Sequence, residues 1–214
     1  MDEPTVRRLS ANPTADVATW AGVRELCCRT GDNGRPITRE RWEFFPRIWI
    51  DPYEKLLPHW TYVAEMEGAV VGYLTGCPDT RRFFRRRAWR VTLPLLSQIF
   101  CGRYRHTPGT GAYVRRALGI DKSAEQRFPP ALYRSIARDY PAHLHINIEA
   151  GFRRSGLGRR LVESYLADLQ RASVEGVHLF CATDPLPFYR RLGFQVLDSV
   201  DLRGARVFAL GRRL

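Results

Sequence analysis

The chain has 214 residues, 44% of them hydrophobic, which is enough for one sizeable core and too apolar for a disordered or fibrous protein. Its formal net charge of +12 gives a positive surface potential that attracts phosphates, anionic cofactors, nucleic acid or acidic proteins. Of the 34 basic residues only Lys55 and Lys122 are lysines, a skew that a GC-rich coding sequence produces unaided, so charge alone selects no partner.

In chain order, Thr5 to Leu9 alternate like a strand, and Asn12 to Asp16 reads as a turn with a helix cap. Val17 to Arg29 then has helical periodicity, with Val17, Trp20, Val23, Leu26 and Cys27 on one face. Thr61 to Glu65 and Ala69 to Thr75 are β-rich runs joined by Glu67-Gly68, a hairpin signal. From Pro78 to Pro141 the pattern blurs: an arginine run from Arg81 to Arg87, an apolar patch from Val91 to Cys101, then a Gly- and Tyr-containing stretch. An arginine-rich insertion or lid with some helix is expected at about 79–140. Beyond it come a strand from His143 to Glu149, a helix from Leu157 to Ala172, a strand from Val177 to Ala182 and a short helix near Pro185 to Leu192. Strands around Gln195 to Leu202 and Arg206 to Leu210 complete the pattern. This order predicts a three-layer α/β domain spanning 1–214, with a mixed sheet, helices on both faces and room for a central cleft.

The strand from His143 runs through Ile146, Asn147 and Ile148 into Arg153-Arg154-Ser155-Gly156-Leu157-Gly158-Arg159, which opens a helix. Free N–H groups at such a helix start form an anion site, glycines let a diphosphate approach, and arginines add charge. A similar turn that binds nothing is the plain alternative. Some thirty residues later stands Phe188-Tyr189-Arg190-Arg191-Leu192-Gly193-Phe194. In order and spacing these segments resemble the GNAT acetyltransferases, where R/Q-x-x-G-x-G/A carries the CoA pyrophosphate and F-Y-x-x-x-G-F follows the next strand. Arg29-Thr30-Gly31-Asp32-Asn33-Gly34 and Tyr140 to Ile146 narrow the resemblance to the acetyltransferase-like domain of O-GlcNAc hydrolases and its free-standing bacterial relatives.

The resemblance implies a mostly antiparallel sheet splayed at the cofactor cleft and acetyl-CoA as cofactor. It implies cofactor contacts from Ile146, Asn147, Ile148, the turn from Arg153 to Arg159, Asp184, Phe188, Tyr189 and Arg191. A backbone N–H beside Ile148 would polarise the thioester carbonyl, and the Tyr189 phenol would protonate the departing thiolate. Many relatives carry Asn before the final helix, where this chain has the short, proline-rich Ala182-Thr183-Asp184-Pro185-Leu186-Pro187.

Period-two alternation puts His143, His145, Asn147 and Glu149 on one face of their strand, with Leu144, Ile146 and Ile148 on the other. Such polar groups are ordinarily satisfied by hydrogen bonds, but histidine titrates near neutral pH and suits a general base for an ammonium acceptor. Of the two histidines His145 is favoured because it lies nearer the turn, Glu149 stays a further candidate, and the H-x-H pair resembles arylalkylamine-type enzymes of the superfamily. A metal on His143, His145 and Glu149 is not expected, since the spacing is long and no further ligand is near in sequence.

The expected function is therefore direct transfer of an acetyl group to a primary amine of a small molecule or protein in a ternary complex. The alternatives are a catalytically silent CoA-binding module and, behind it, a nucleic-acid adaptor using Arg81 to Arg90 with Phe83, Phe84 and Trp89. Five cysteines without C-x-x-C spacing suggest reduced thiols, Met1-Asp2-Glu3-Pro4 lacks the order of a signal peptide, and no apolar run reaches bilayer length. A cytoplasmic protein without a membrane partner is expected, with homodimerisation open.

Overall fold

The structure, a computed structural model, describes residues 3–32, 34–120, 128–202 and 205–214. Its strands are β1 (Thr5–Arg8), β2 (Thr61–Met66), β3 (Ala69–Cys77), β4 (Ala142–Ile148), β5 (Gly176–Ala182), β6 (Gln195–Leu202) and β7 (Ala205–Arg213). They form one sheet in the order β1-β2-β3-β4-β5-β7-β6, in which only β4 and β5 pair in parallel. The β2–β3 turn places Glu67 and Gly68 at φ 51° and 77°, the doubly positive geometry that matches the twist of a tight hairpin.

The parallel pair is in register only at Ala142↔Val177 and His143↔His178, after which the strands part. Along its other edge β4 stays paired with β3 from Cys77↔His143 to Gly72↔Ile148. Backbone groups in an antiparallel ladder point alternately to the two sides. The Glu149 N–H donates to Val71 O at 3.0 Å, so the odd-numbered residues of β4 bond to β3. The even residues of β4 therefore face β5: the Leu144 N–H closes the short parallel ladder at His178, and beyond it the Leu144 C=O and the backbone groups of Ile146 and Ile148 turn toward the gap. A row of backbone donors and acceptors faces an open cleft, which realises the expected splay.

The helices are α1 (Val17–Thr30), α2 (Phe45–Trp49), α3 (Asp51–Leu56), α4 (Thr80–Arg87), α5 (Leu93–Phe100), α6 (Thr110–Ala117), α7 (Pro130–Asp139), α8 (Leu157–Arg171) and α9 (Leu186–Arg191). Helical spacing puts Leu157, Leu161, Val162, Tyr165, Leu166 and Leu169 of α8 on one side, packed against Leu74, Ala142, Leu144, Val177 and Leu179. At about 2 kcal/mol per buried side chain, this contact fixes α8 on the sheet. Beside it, α9 contributes Leu186 and Tyr189. On the opposite face, α1 buries Trp20, Val23, Leu26 and Cys27 against Val63 and Tyr73, and α7 sets Ile136 against Ala209.

Residues 39–60 carry no legible pattern, because α2 and α3 are too short to show a period. Their signal is Pro46 and Pro52, each in a first helical turn, where the missing N–H costs nothing. In the arginine-rich segment, Asp79 caps α4 by accepting from the Arg82 N–H at 2.9 Å. A π-helical turn, Ala88–Thr92, runs straight on into α5, so Thr80–Phe100 is one helical rod. Pro94 has no N–H to continue the ladder, and the π turn just before it absorbs that break. Underneath, Phe83 and Val91 pack on Tyr53, Leu56 and Cys77, while Leu95, Leu96, Tyr104 and Tyr113 enclose Phe44. The π turn shifts the helical phase midway, which is why the sequence pattern blurs there.

Candidate active site

The cleft between β4 and β5 opens onto the turn that starts α8. Arg154 and Gly156 stand at φ 65° and 84°, and an added Cβ on Gly156 would meet nothing within 4 Å. Gly156 is thus required by backbone angle, not by crowding. Gly158 differs: a Cβ there would come within 3.0 Å of Ile148 Cδ1 and 3.3 Å of Phe188 Cζ. Its missing side chain lets the first turn of α8 close on β4 and α9, a packing role beyond the expected clearance for a diphosphate. The first helical bond is from the Arg160 N–H to Gly156 O at 3.1 Å, so the N–H groups of Leu157, Gly158 and Arg159 remain available to an anion.

The arginines of the turn separate by role. Arg153 donates from Nε to Ile148 O at 3.1 Å and from Nη2 to Gly34 O at 2.9 Å, tying the loop after α1 to the end of β4. Gly34 makes room for this, since a Cβ there would fall 2.3 Å from that nitrogen. Arg159 pairs with Glu163 at 2.7 Å, and the Ser155 hydroxyl donates to Phe152 O at 2.7 Å. Arg154 is exposed and has no hydrogen-bond or ion-pair partner among the described residues. Across the cleft mouth, Asp184 lies exposed in the turn after β5, where its charge opposes an incoming phosphate, and Arg191 is exposed at the end of α9.

Tyr189 is buried, with its ring edge-on to Phe188 at 5.0 Å and Phe194 at 5.7 Å. Its hydroxyl has no hydrogen-bond partner among the described residues. Burial, with the Cys181 thiol nearby, raises the phenol above its usual range, so it holds its proton at neutral pH.

The polar face of β4 lies on the other side of the sheet, and its residues have separate environments. The His143 ring is buried between Tyr53 Oη at 2.7 Å from Nε2 and Thr80 Oγ1 at 2.9 Å from Nδ1, with Cys77 Sγ 3.1 Å from Nδ1. Burial holds His143 well below its ordinary value, helped by His178, Arg87 and His145. The adjacent Cys77 resembles half of a nucleophilic pair, but burial pushes its thiol up to about 12. His145 is only partly buried and stacks on Trp49 at 5.3 Å and 21°. The Asn147 amide donates to Tyr73 Oη at 2.7 Å and faces His145 Nε2 at 3.2 Å, which makes Nε2 the lone-pair nitrogen. Glu149 is ion-paired with Arg29 at the end of α1.

Trp49, Tyr73, Tyr53 and Arg29 surround these groups without having been singled out for a role by sequence. Trp49 and Tyr53 sit in helices without a readable period, and Tyr73 reads simply as a strand aromatic. Arg116 lies over the Trp49 ring at 5.2 Å, which brings α6 of the inserted segment to the border of this face.

A mixed sheet with one splayed parallel pair, a glycine turn at its mouth and helices on both faces is the GNAT architecture. No family model matches the chain. Among solved structures, that of SsHAT is 30% identical, with 99% of this chain and 98% of that chain covered and a TM-score of 0.70. A GNAT-family protein from Desulfovibrio desulfuricans is 14% identical over 99% of both chains, with a TM-score of 0.55. An agmatine N-acetyltransferase is 16% identical over 100% of both, with a TM-score of 0.53, a likeness of fold. The chain belongs to the GNAT superfamily of acyltransferases.

Proposed function

We propose that the protein uses acetyl-CoA to acetylate a primary amine by direct transfer in a ternary complex, as one domain over 1–214. The observation that carries this reading is the parting of β4 and β5 directly above the free N–H groups of α8. Bound there, acetyl-CoA would supply the activated acyl group. The α8 N-terminus and Arg154 hold its diphosphate, and Ile146 and Ile148 offer backbone groups along the cleft. In this reading the N–H of Ile148 polarises the thioester carbonyl. His145, whose Nε2 lone pair accepts from the Asn147 amide in the free protein, takes the proton from the acceptor ammonium as that contact is given up, directly or through water. As the tetrahedral intermediate collapses, Tyr189 gives its proton to the departing thiolate and the second nitrogen proton passes to the tyrosinate, so the products are the amide, the CoA thiol and the one proton held by His145. His143 and Glu149 are less suited as bases, the first sealed in hydrogen bonds and the second held by Arg29.

The test is release of free thiol from acetyl-CoA across a panel of small amines and peptide N-termini, with the acetylated product confirmed by mass. Turnover that depends on the amine supports the proposal. Tight acetyl-CoA binding with no turnover on any acceptor would make the protein a binding module.

A further inference from the structure

Residues 80–120 contain ten arginines and no acidic residue, so this fifth of the chain carries nearly all of the +12 net charge. The helical rod Thr80–Phe100 displays part of that charge beside an apolar stripe. Trp89 is 70% exposed, Leu93 47% and Phe100 72%. Their spacing of four and seven residues lines them along one side of the rod. Arg82, Arg85 and Arg86 precede them on the same side, and Arg90 lies next to Trp89, all at least partly exposed. The opposite side is already used, with Phe83, Val91 and Leu95 buried, and buried Leu96 borders the stripe between Leu93 and Phe100.

We propose that this face docks the enzyme on an anionic lipid surface. Arginine at the level of the headgroups and Trp, Leu and Phe just below it is the combination that holds an amphipathic helix at a membrane interface. No helix among the described residues is long and apolar enough to cross a membrane, so the contact is peripheral. Two copies of the face would repel one another through their arginines, which argues against self-association here. A nucleic acid would be met by the arginines and Trp89 but leaves Leu93 without a partner, because an aliphatic side chain cannot stack on a base. The inference departs from the expectation that the protein has no membrane partner, and it is independent of the catalytic assignment.

Co-sedimentation of the full chain with phosphatidylcholine vesicles, with and without phosphatidylglycerol, tests it. Binding should require the anionic lipid and weaken as salt is raised. The double variants Arg85→Glu/Arg86→Glu and Trp89→Ser/Phe100→Ser should each weaken it by about tenfold or more. Trp89→Phe should bind normally yet lose the blue shift of tryptophan emission. Circular dichroism and melting confirm that each variant is folded. The proposal is overturned by any of four results: no binding to anionic vesicles, equal binding to neutral ones, binding indifferent to Trp89 and Phe100, or loss of a lipid-free dimer in those variants. Retention on RNA without vesicle binding would overturn it in favour of a nucleic-acid face.

Discussion

The two sides of β4 come from one seven-residue strand and use it differently. On the cleft side, Leu144, Ile146 and Ile148 present apolar side chains to α8, and Ile146 and Ile148 turn backbone groups toward the gap beside β5. On the other side, His143, His145, Asn147 and Glu149 present side chains that are mostly tied to neighbours. Backbone geometry makes the cleft, while side-chain environment buries one histidine of the face and leaves the other half-exposed. The same residue type two positions apart is a sealed core group in one case and a base candidate in the other.

The largest expected effect lies on the cleft side. Tyr189→Phe keeps the ring packing but removes the acid, so kcat should fall by about 10²- to 10⁴-fold while acetyl-CoA affinity stays nearly constant. Single-turnover kinetics and equilibrium binding measure the two quantities. An unchanged kcat would remove Tyr189 from the chemistry.

Across the strand, His145→Ala should slow the reaction by about 10²-fold and remove the acidic limb of the pH–rate profile. His143→Ala should behave in another way. It leaves Tyr53 and Thr80 short of a buried partner and should cost about 1–3 kcal/mol of stability without changing the shape of that profile. Should the His143 variant be the one that loses the acidic limb, the assignment of the base is reversed.

Much of this was legible beforehand, for physical reasons. The turn from Arg153 to Gly158 is local, and a glycine at positive φ before an amphipathic helix leaves its mark in a few adjacent residues. The alternation of β4 is equally local, so its two faces could be separated by period alone. What sequence could not give was long-range pairing: that β4 leaves β5 after His143, that Arg153 reaches back to Gly34, and that Tyr53 and Thr80 close on His143. The two glycines also look alike in sequence, whereas Gly156 answers to a dihedral angle and Gly158 to Ile148 and Phe188. The 79–140 segment was blurred by the π turn and by aromatics on both sides of one rod.

An effect on stability rather than turnover follows from the buried histidines. Burial lowers His178 to about 4 and holds His143 well below its ordinary value, while both titrate near 6.5 in the unfolded chain. The unfolded state therefore takes up protons first as pH falls. Their contribution is complete above about pH 6.5 and is lost on acidification, with His178 alone giving up about 3 kcal/mol by pH 4. Urea titrations at stepped pH should show this slope, and His178→Gln should flatten it if the variant folds.

The central claim is that the cleft and its glycine turn hold acetyl-CoA, and thermal unfolding with and without the ligand tests it most directly. At one hundred times its dissociation constant the ligand should stabilise the native protein by about 2.7 kcal/mol, a plain rise in Tm. Gly156→Asp is the sharper probe of the turn: no neighbour blocks the side chain, aspartate is among the residues that tolerate the left-handed φ of 84° at a cost of about 1–2 kcal/mol, and its carboxylate repels the diphosphate. The account predicts a shift in the wild-type protein and none in folded Gly156→Asp. No shift in the wild-type protein at millimolar acetyl-CoA, or an equal shift in both, would contradict it.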